Sequence, residues 1–548
     1  MPSAPSAFIQ TLANHGVEVI FSLSGNQIMP LYDACIDADI RIIHTRHEAT
    51  AVYMAEAYAQ LSGKLGVALV TAGPGLLNAV SALYSAAKSE TPVLLISGDA
   101  ALGMDGRGGF QELDQIAVTA PISKFSARPK TPTAILDDLE TAMQTAFGGC
   151  PGPVHLALPF DILSGNADIA PRSPQPPSPA STAFTSQQLD TIITALGKAE
   201  RPLIITGPQA NRTRQPAATS ALESALGMPV ICLESARGLS DSFYGDLGAL
   251  LLRTDLVIHL GKLADYSTGI HAAGRIAAGT PIISVLNDHQ PAPNPAHDQN
   301  PLSMIRLNGL MRNIPACMIQ LATAITQQHD EPSSARPSAE WAGEIKSAIS
   351  RRLDWTARDD SRHPASLTAS LQNAIAGNDD AILVADGGEF CQWVQAGCVA
   401  PRRMINGPSG AIGGGIAYAI GASIACPDAP VFLVMGDGTT GFYLAEINTA
   451  VRAGCNNIVT IIGNDYRWNA EVQIQIDTYG ADRVYGCDLD ETANYADAAI
   501  GLGAHGQTIG PDDDIEQAIT AACSHDGPAV LNVLIDGVAA PKFMPMKL

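Results

Sequence analysis

The chain has 548 residues and a mass of 57.1 kDa, with 46% apolar and only 16% charged residues. That is enough material for three or four buried cores, and it excludes a disordered or fibrous chain. Acidic residues outnumber basic ones 54 to 32, a net charge of −22; such a surface repels nucleic-acid backbones and anionic lipid, so neither is an expected partner.

Short apolar runs alternate with helical patterns along the chain. Residues 17–23, 40–43, 66–71, 92–97 and 154–158 read as buried strands, with helices over 48–61 and 76–87 between them. Continuous apolar strands separated by helices predict a parallel sheet covered on both faces. A Pro- and Ser-rich stretch, 164–186, reads as a linker. A second α/β pattern follows, with strands at 202–206, 229–232, 256–260 and 282–286, and ends in a polar stretch at 327–338. The third block has strands near 382–385, 431–435, 458–462 and 530–535. The expected fold class is α/β, with three consecutive doubly wound parallel-sheet domains at 1–165, 187–330 and 340–548.

The ten cysteines are scattered with no C-x-x-C pair, which points to reduced cytoplasmic thiols and away from disulfides or zinc. No signal peptide is expected at the N-terminus. The longest uncharged run, 404–427, is crowded with glycines and reads as a loop entering a tightly packed helix, not as a membrane span.

The sharpest motif is Gly436-Asp437-Gly438-Thr439-Thr440, directly after the apolar run VFLVM. Glycines at a strand's carboxyl end let backbone N–H groups approach phosphate, and the next helix start favours anions. An aspartate between them is badly placed for phosphate unless a cation bridges the two, which points to Mg²⁺ or Ca²⁺. A second oxygen ligand is expected at the end of the next strand, at Asn464. By itself, GDG could be an ordinary strand–helix turn.

The spacing from Asp437 to Asn464 resembles the metal–diphosphate motif of thiamine diphosphate enzymes. Thr45-Arg46-His47-Glu48 running to Met54-Ala55-Glu56 resembles that family's R-H-E-x-x-A-x-x-M-A-E stretch, and 71–78 its T-x-G-P-G-x-x-N turn. Gly410-Ala411-Ile412-Gly413 resembles its G-x-M/I-G element. The resemblance implies thiamine diphosphate and Mg²⁺ as cofactors. Asp437, Asn464 and the Tyr466 carbonyl would hold the metal. Gly73, Pro74, Asn78, Gly387, Gly388, Gly410, Gly436, Gly438 and Thr439 would line the cofactor cleft, and Ile412 would wedge between its rings. Glu48 would hydrogen-bond the aminopyrimidine and so activate the thiazolium. One departure stands out: Gly463-Asn464 occupies the place of the usual Asn-Asn. In this family a homodimer is the least active unit, and a homotetramer is expected.

Gly109 to Glu112, then Asp114, Pro121-Ile122 and Lys124-Phe125, resemble acetolactate synthase, benzaldehyde lyase and 2-hydroxyacyl-CoA lyase. The His-His pair of pyruvate decarboxylases is absent, so carbon–carbon bond formation on 2-oxo acids or acyloins is expected. A CoA-thioester lyase and a simple decarboxylase are the alternatives, and a silent paralogue is a third. Gln111 either hydrogen-bonds the substrate oxygen or is a surface amide. Asn26 and Gln27 stand where benzaldehyde lyase has a histidine, and they are expected to set substrate choice. Phe110, Phe160, Trp468 and Glu471 are expected to shape the substrate pocket. The middle domain lacks the segment that carries FAD in acetolactate synthase, so no FAD is expected. Arg212, Arg214, Arg237 and Lys262 are candidates for a nucleotide there or are solvated charges. The chain ends soon after Lys542, which leaves little tail to close over a CoA arm.

Overall fold

The computed structural model describes residues 3–165, 168–174, 183–269, 275–277, 279–287, 304–309, 313–327, 335–353 and 360–542. Parts of both polar stretches, 166–167, 175–182 and 328–334, lie outside the described residues, as do residues 543–548.

Three sheets form in chain order. The first contains β1 (Val19–Ser22), β2 (Arg41–His44), β3 (Gly66–Val70), β4 (Val93–Asp99), β5 (Phe125–Ala127) and β6 (Val154–Pro159), in the order β2-β1-β3-β4-β6-β5. The second contains β7 (Pro202–Thr206), β8 (Ile231–Cys232), β9 (Leu256–Leu260), β10 (Ile282–Asn287) and β11 (Met304–Gly309), ordered β11-β10-β9-β7-β8. The third contains β12 (Ile382–Ala385), β13 (Arg402–Ile405), β14 (Val431–Gly436), β15 (Ile458–Asn464), β16 (His505–Ile509) and β17 (Ala529–Leu534), ordered β13-β12-β14-β15-β17-β16. Every strand pairing within these sheets is parallel. The expected class, three parallel-sheet α/β domains, is therefore what the chain adopts. Crossover helices cover the sheet faces, so the inner strands are mostly apolar and buried along nearly their whole length.

Four strands were not expected: β5, β11, β13 and β16. All four are edge strands. A strand paired on one side only needs no continuous apolar run, and His505-Gly506-Gln507-Thr508-Ile509 has none.

The first and third domains meet through two helices. Glu48–Ser62 is capped by the His47 side chain and stopped by left-handed Gly63, and twelve of its fifteen residues are buried. Gly415–Ala425, the helix inside the long uncharged run, is buried over nine of its eleven residues. Small residues let the two backbones approach: a methyl group on Gly421 would lie 2.4 Å from the Met54 carbonyl oxygen. Buried Glu56 and Tyr418 face each other across the seam and share a 2.9 Å hydrogen bond. Among the described residues no helix is long and apolar enough to cross a membrane.

Candidate active site

Glu48 opens its helix just beyond β2 and is 8% exposed. Its Oε2 accepts a 2.9 Å hydrogen bond from Asn78 Nδ2, while Oε1 has no hydrogen-bond partner among the described residues. Gly73 and Pro74 begin the helix that carries Asn78. Gly73 has φ +56°, and an added Cβ there would lie 2.8 Å from the Gln111 carbonyl oxygen, so only glycine fits the turn.

That approach brings Gln111 into the same cluster, with its own backbone at φ +60°. Its Oε1 accepts 2.8 Å from Gln27 Nε2, and Gln27 Oε1 accepts 2.6 Å from the Thr71 hydroxyl. Gln27 is buried and Asn26 exposed in the turn after β1. The carboxyl ends of β1 and β3 thus present a chain of neutral amide and hydroxyl groups, none of which titrates near neutral pH. Phe110 beside it is 75% exposed, and half-buried Phe160 follows β6.

The third sheet presents its own cluster at the ends of β14 and β15. Asp437 follows β14, is 2% exposed, and accepts a 3.0 Å hydrogen bond from the Gly438 amide. Burial pushes its carboxyl up to about 6. Neighbouring Asp465 is pushed up to about 7, first by burial and then by the Asp437 charge. The ends of β14 and β15 thus bring a buried carboxylate, Asp437, and a half-buried one, Asp465, close enough for the first to act on the second. Asn464 closes β15, fully buried, its Nδ2 donating to Asn532 Oδ1 at 3.1 Å and its Oδ1 accepting from the Tyr466 amide at 3.1 Å. Tyr466 has φ +58°, an uncommon conformation for a bulky residue. The Thr439 hydroxyl is turned inward to the Gly436 carbonyl at 3.1 Å.

The departure at Gly463 has a packing cause. An added Cβ would sit 2.4 Å from the Phe390 ring and 2.9 Å from Ile535, so no asparagine fits there.

Ile412 lies against Gly387, where a methyl group would come within 2.4 Å of its Cγ2; Gly388 starts the next helix, and Gly410 is exposed at φ +71°. Trp468 covers Gly438 and meets the Phe442 ring edge-on at 6.2 Å. Glu471 is exposed in the first turn of Asn469–Tyr479.

Three contributors were not legible as such in the sequence. Asp386 braces the glycine loop, accepting from the Gly387, Gly413 and Gly415 amides at 2.6, 3.0 and 2.9 Å. Asp465 adds a second carboxylate near Asp437. Glu446 ties the two clusters together: its Oε1 accepts from the Arg46 and His47 amides at 2.8 and 3.0 Å and from the Thr50 hydroxyl at 2.7 Å. In the sequence Glu446 is simply one charged residue on the helix between Asp437 and Asn464.

Of the four basic middle-domain candidates, Arg212 pairs with Glu223, Lys262 with Asp265, and Arg214 donates to the Ser89 and Glu90 carbonyls. Arg237 makes no side-chain hydrogen bond or ion pair among the described residues.

Comparison with known proteins adds to this geometry. The profile of the thiamine pyrophosphate enzyme N-terminal TPP binding domain matches residues 3–118, and that of the C-terminal TPP binding domain matches residues 386–533. The chain is 30% identical to 2-hydroxyacyl-CoA lyase 2 of Homo sapiens over 582 aligned residues, covering 96% of this chain and 88% of the relative. The Danio rerio protein of the same name is also 30% identical, with 96% and 90% covered. A probable acetolactate synthase of Mycobacterium bovis is 28% identical, with 96% and 95% covered.

Proposed function

Because the chain belongs to the thiamine pyrophosphate enzymes, we propose that it uses thiamine diphosphate with Mg²⁺ to make or break the carbon–carbon bond beside a carbonyl. Its substrates in this reading are free 2-oxo acids or acyloins, joined as an acetolactate synthase joins them. When bound, the cofactor supplies an electron sink for the charge that develops next to that carbonyl.

The observation that carries the reading is Glu48, a largely buried carboxylate fixed through Oε2 by Asn78, whose Oε1 is left open toward the cleft. It is the group available to hold a proton on the cofactor's ring nitrogen. Asp437, Asn464 and the Tyr466 carbonyl would take the Mg²⁺, and the paired carboxylates of Asp437 and Asp465 support a cation there. Gly73, Pro74, Gly410 and Ile412 would hold the ring end of the cofactor, and Gly387, Gly388, Gly436, Gly438 and Thr439 its diphosphate. Gln111 and Gln27 orient the substrate oxygen. Being amides, they lend no proton to a reacting carbon, which favours bond formation over simple decarboxylation. Phe110, Phe160, Trp468 and Glu471 border the substrate side.

Glu48 of one protomer and the Asp437 cluster of another would face one cofactor in a homodimer, which pairs into a homotetramer. The exposed apolar side chains of Leu77, Phe110 and Phe442 beside the two clusters support a covering partner. The ten unbridged cysteines are in keeping with action in the cytoplasm.

A second reading, cleavage of a 2-hydroxyacyl-CoA, is favoured by the relatives that carry that name. The prior engagement of Arg212, Arg214 and Lys262 weighs against a CoA phosphate site in the middle domain. Purified protein loaded with thiamine diphosphate and Mg²⁺ separates the two. Release of CO₂ from pyruvate with a ligated product supports the first. Aldehyde release from a 2-hydroxyacyl-CoA, with 2-oxo acids untouched, supports the second. Failure of both substrate classes in a cofactor-saturated sample contradicts the proposal.

A further inference from the structure

The turn 407–413, between β13 and the helix Gly415–Ala425, is loose by composition. Gly407, Gly410 and Gly413 sit at φ +70°, +71° and +86°, and glycines leave many chain conformers to freeze out. Pro408, Ser409, Ala411 and Ile412 are half-buried and Gly410 is exposed.

All three domains hold this turn. From the third, Asn406 Nδ2 donates to the Ala411 carbonyl at 3.1 Å. From the middle one, the Tyr266 hydroxyl donates to the Pro408 carbonyl at 3.0 Å. The first domain supplies Ser85, on the helix Pro74–Lys88. The Ser409 hydroxyl donates to Ser85 Oγ at 3.3 Å, and Ser409 Oγ accepts from the Ala411 amide at 3.2 Å. The approach is close: an added Cβ on Gly407 would lie 2.6 Å from Ser89 Oγ.

Ser85 is also one link of a longer chain. The Tyr418 hydroxyl donates to Glu56 Oε2 at 2.9 Å and lies 3.0 Å from Ser85 Oγ. Each hydroxyl has a single hydrogen to give. With that of Tyr418 given to Glu56 and that of Ser409 given to Ser85, Ser85 must donate to Tyr418. The donors therefore run one way, from the Ala411 amide through Ser409, Ser85 and Tyr418 to the Glu56 carboxyl. In such a chain each bond polarises the next, so the links strengthen one another. Glu56, Ser85 and Tyr418 are buried, which keeps bulk water from competing for them.

We propose that Ser409 is a positioning residue for thiamine diphosphate: anchored through Ser85 and Tyr418 to Glu56, it fixes the backbone of residues 410–412 at the ring end of the cofactor. The link to the cofactor rests on the function proposed above; the clamp on the turn stands without it.

Ser85→Ala cuts the anchor while leaving the bonds within the turn in place. Ser409→Ala trims a half-buried side chain and keeps the test valid if the buried variant does not fold. In the cofactor-free protein, amide hydrogen exchange at Ala411 should quicken about 3- to 10-fold in Ser85→Ala, the effect of about one lost hydrogen bond. Exchange at the wild-type rate overturns the clamp. By calorimetry, both variants should bind thiamine diphosphate with Mg²⁺ about 3- to 10-fold more weakly than wild type. Inorganic pyrophosphate with Mg²⁺, which offers only the tail, should bind them as it binds wild type. Undiminished binding of thiamine diphosphate, or equal weakening of both ligands, overturns the positioning role; a serine with a purely structural part would lower the melting temperature and leave the ratio of the two affinities unchanged. Wild-type protein that binds no thiamine diphosphate would overturn the proposed function and this role with it, while exchange at Ala411 would still judge the clamp.

Discussion

In the proposed reaction the role of Glu48 comes down to one oxygen atom. Asn78 fixes the carboxylate through Oε2, and Oε1 is left open. Replacing Glu48 with Gln keeps the shape and removes the base. We expect deuterium exchange at C2 of bound thiamine diphosphate to slow by about 10²- to 10⁴-fold with cofactor affinity retained; NMR-monitored exchange at the wild-type rate would refute the role of Glu48. Gly463 makes a second prediction at this scale. Gly463→Asn restores the family's usual pair but drives a side chain into Phe390 and Ile535. The expected cost is about 1–3 kcal/mol, read by denaturant titration; an unchanged midpoint would show that the pocket yields. Sequence motifs pointed to Glu48, Asp437 and Asn464 because backbone chemistry ties those residue types to one spacing. They could not reveal that Gln27 and Gln111 touch, since 84 positions separate them and only the fold brings them together. Nor could they explain Gly463, whose reason is a phenylalanine on another helix.

At the scale of elements, the short helix Glu446–Ala453 does more than connect two strands. Its first side chain takes two amide donors and a hydroxyl from the start of the Glu48 helix. Glu446→Ala would leave these donors without an acceptor in a buried seam, at an expected cost of about 1–3 kcal/mol. Activity should fall as well, although Glu446 touches no substrate, and the loss should appear as slowed C2 exchange with little change in metal affinity. A variant as stable and active as wild type would remove Glu446 from the account. The interior strands were readable from apolar runs because both faces of each are covered by helices. The edge strands β5, β11, β13 and β16 were not, for they hydrogen-bond on one side only and carry residues such as Arg402 and Gln507. The long uncharged run was readable as a packed helix because its glycines and alanines are what allow Gly415–Ala425 to lie against Glu48–Ser62.

Over the whole molecule, the seam between first and third domains sets the response to pH. Burial pushes Glu56 up to about 7 from an ordinary 4.5, with hydrogen bonds from Tyr418 and nearby serines opposing the shift. Between those values the folded chain holds a proton that the unfolded chain has released, so stability falls as pH rises through this window. Glu56→Gln removes that dependence. Its melting temperature relative to wild type should be higher at about pH 8 than at about pH 5; an equal difference at both would show that Glu56 is not protonated in the folded state. The central claim concerns two chains rather than one: the acid and the metal grip at each cofactor come from different protomers. Mixing the inactive variants Glu48→Gln and Asp437→Asn under conditions of subunit exchange tests it directly. A site shared between protomers leaves one intact site in every mixed dimer, so activity should return to about a quarter of wild type. If both halves came from the same chain, every site in the mixture would carry one lesion, and activity would stay at the level of the separate variants.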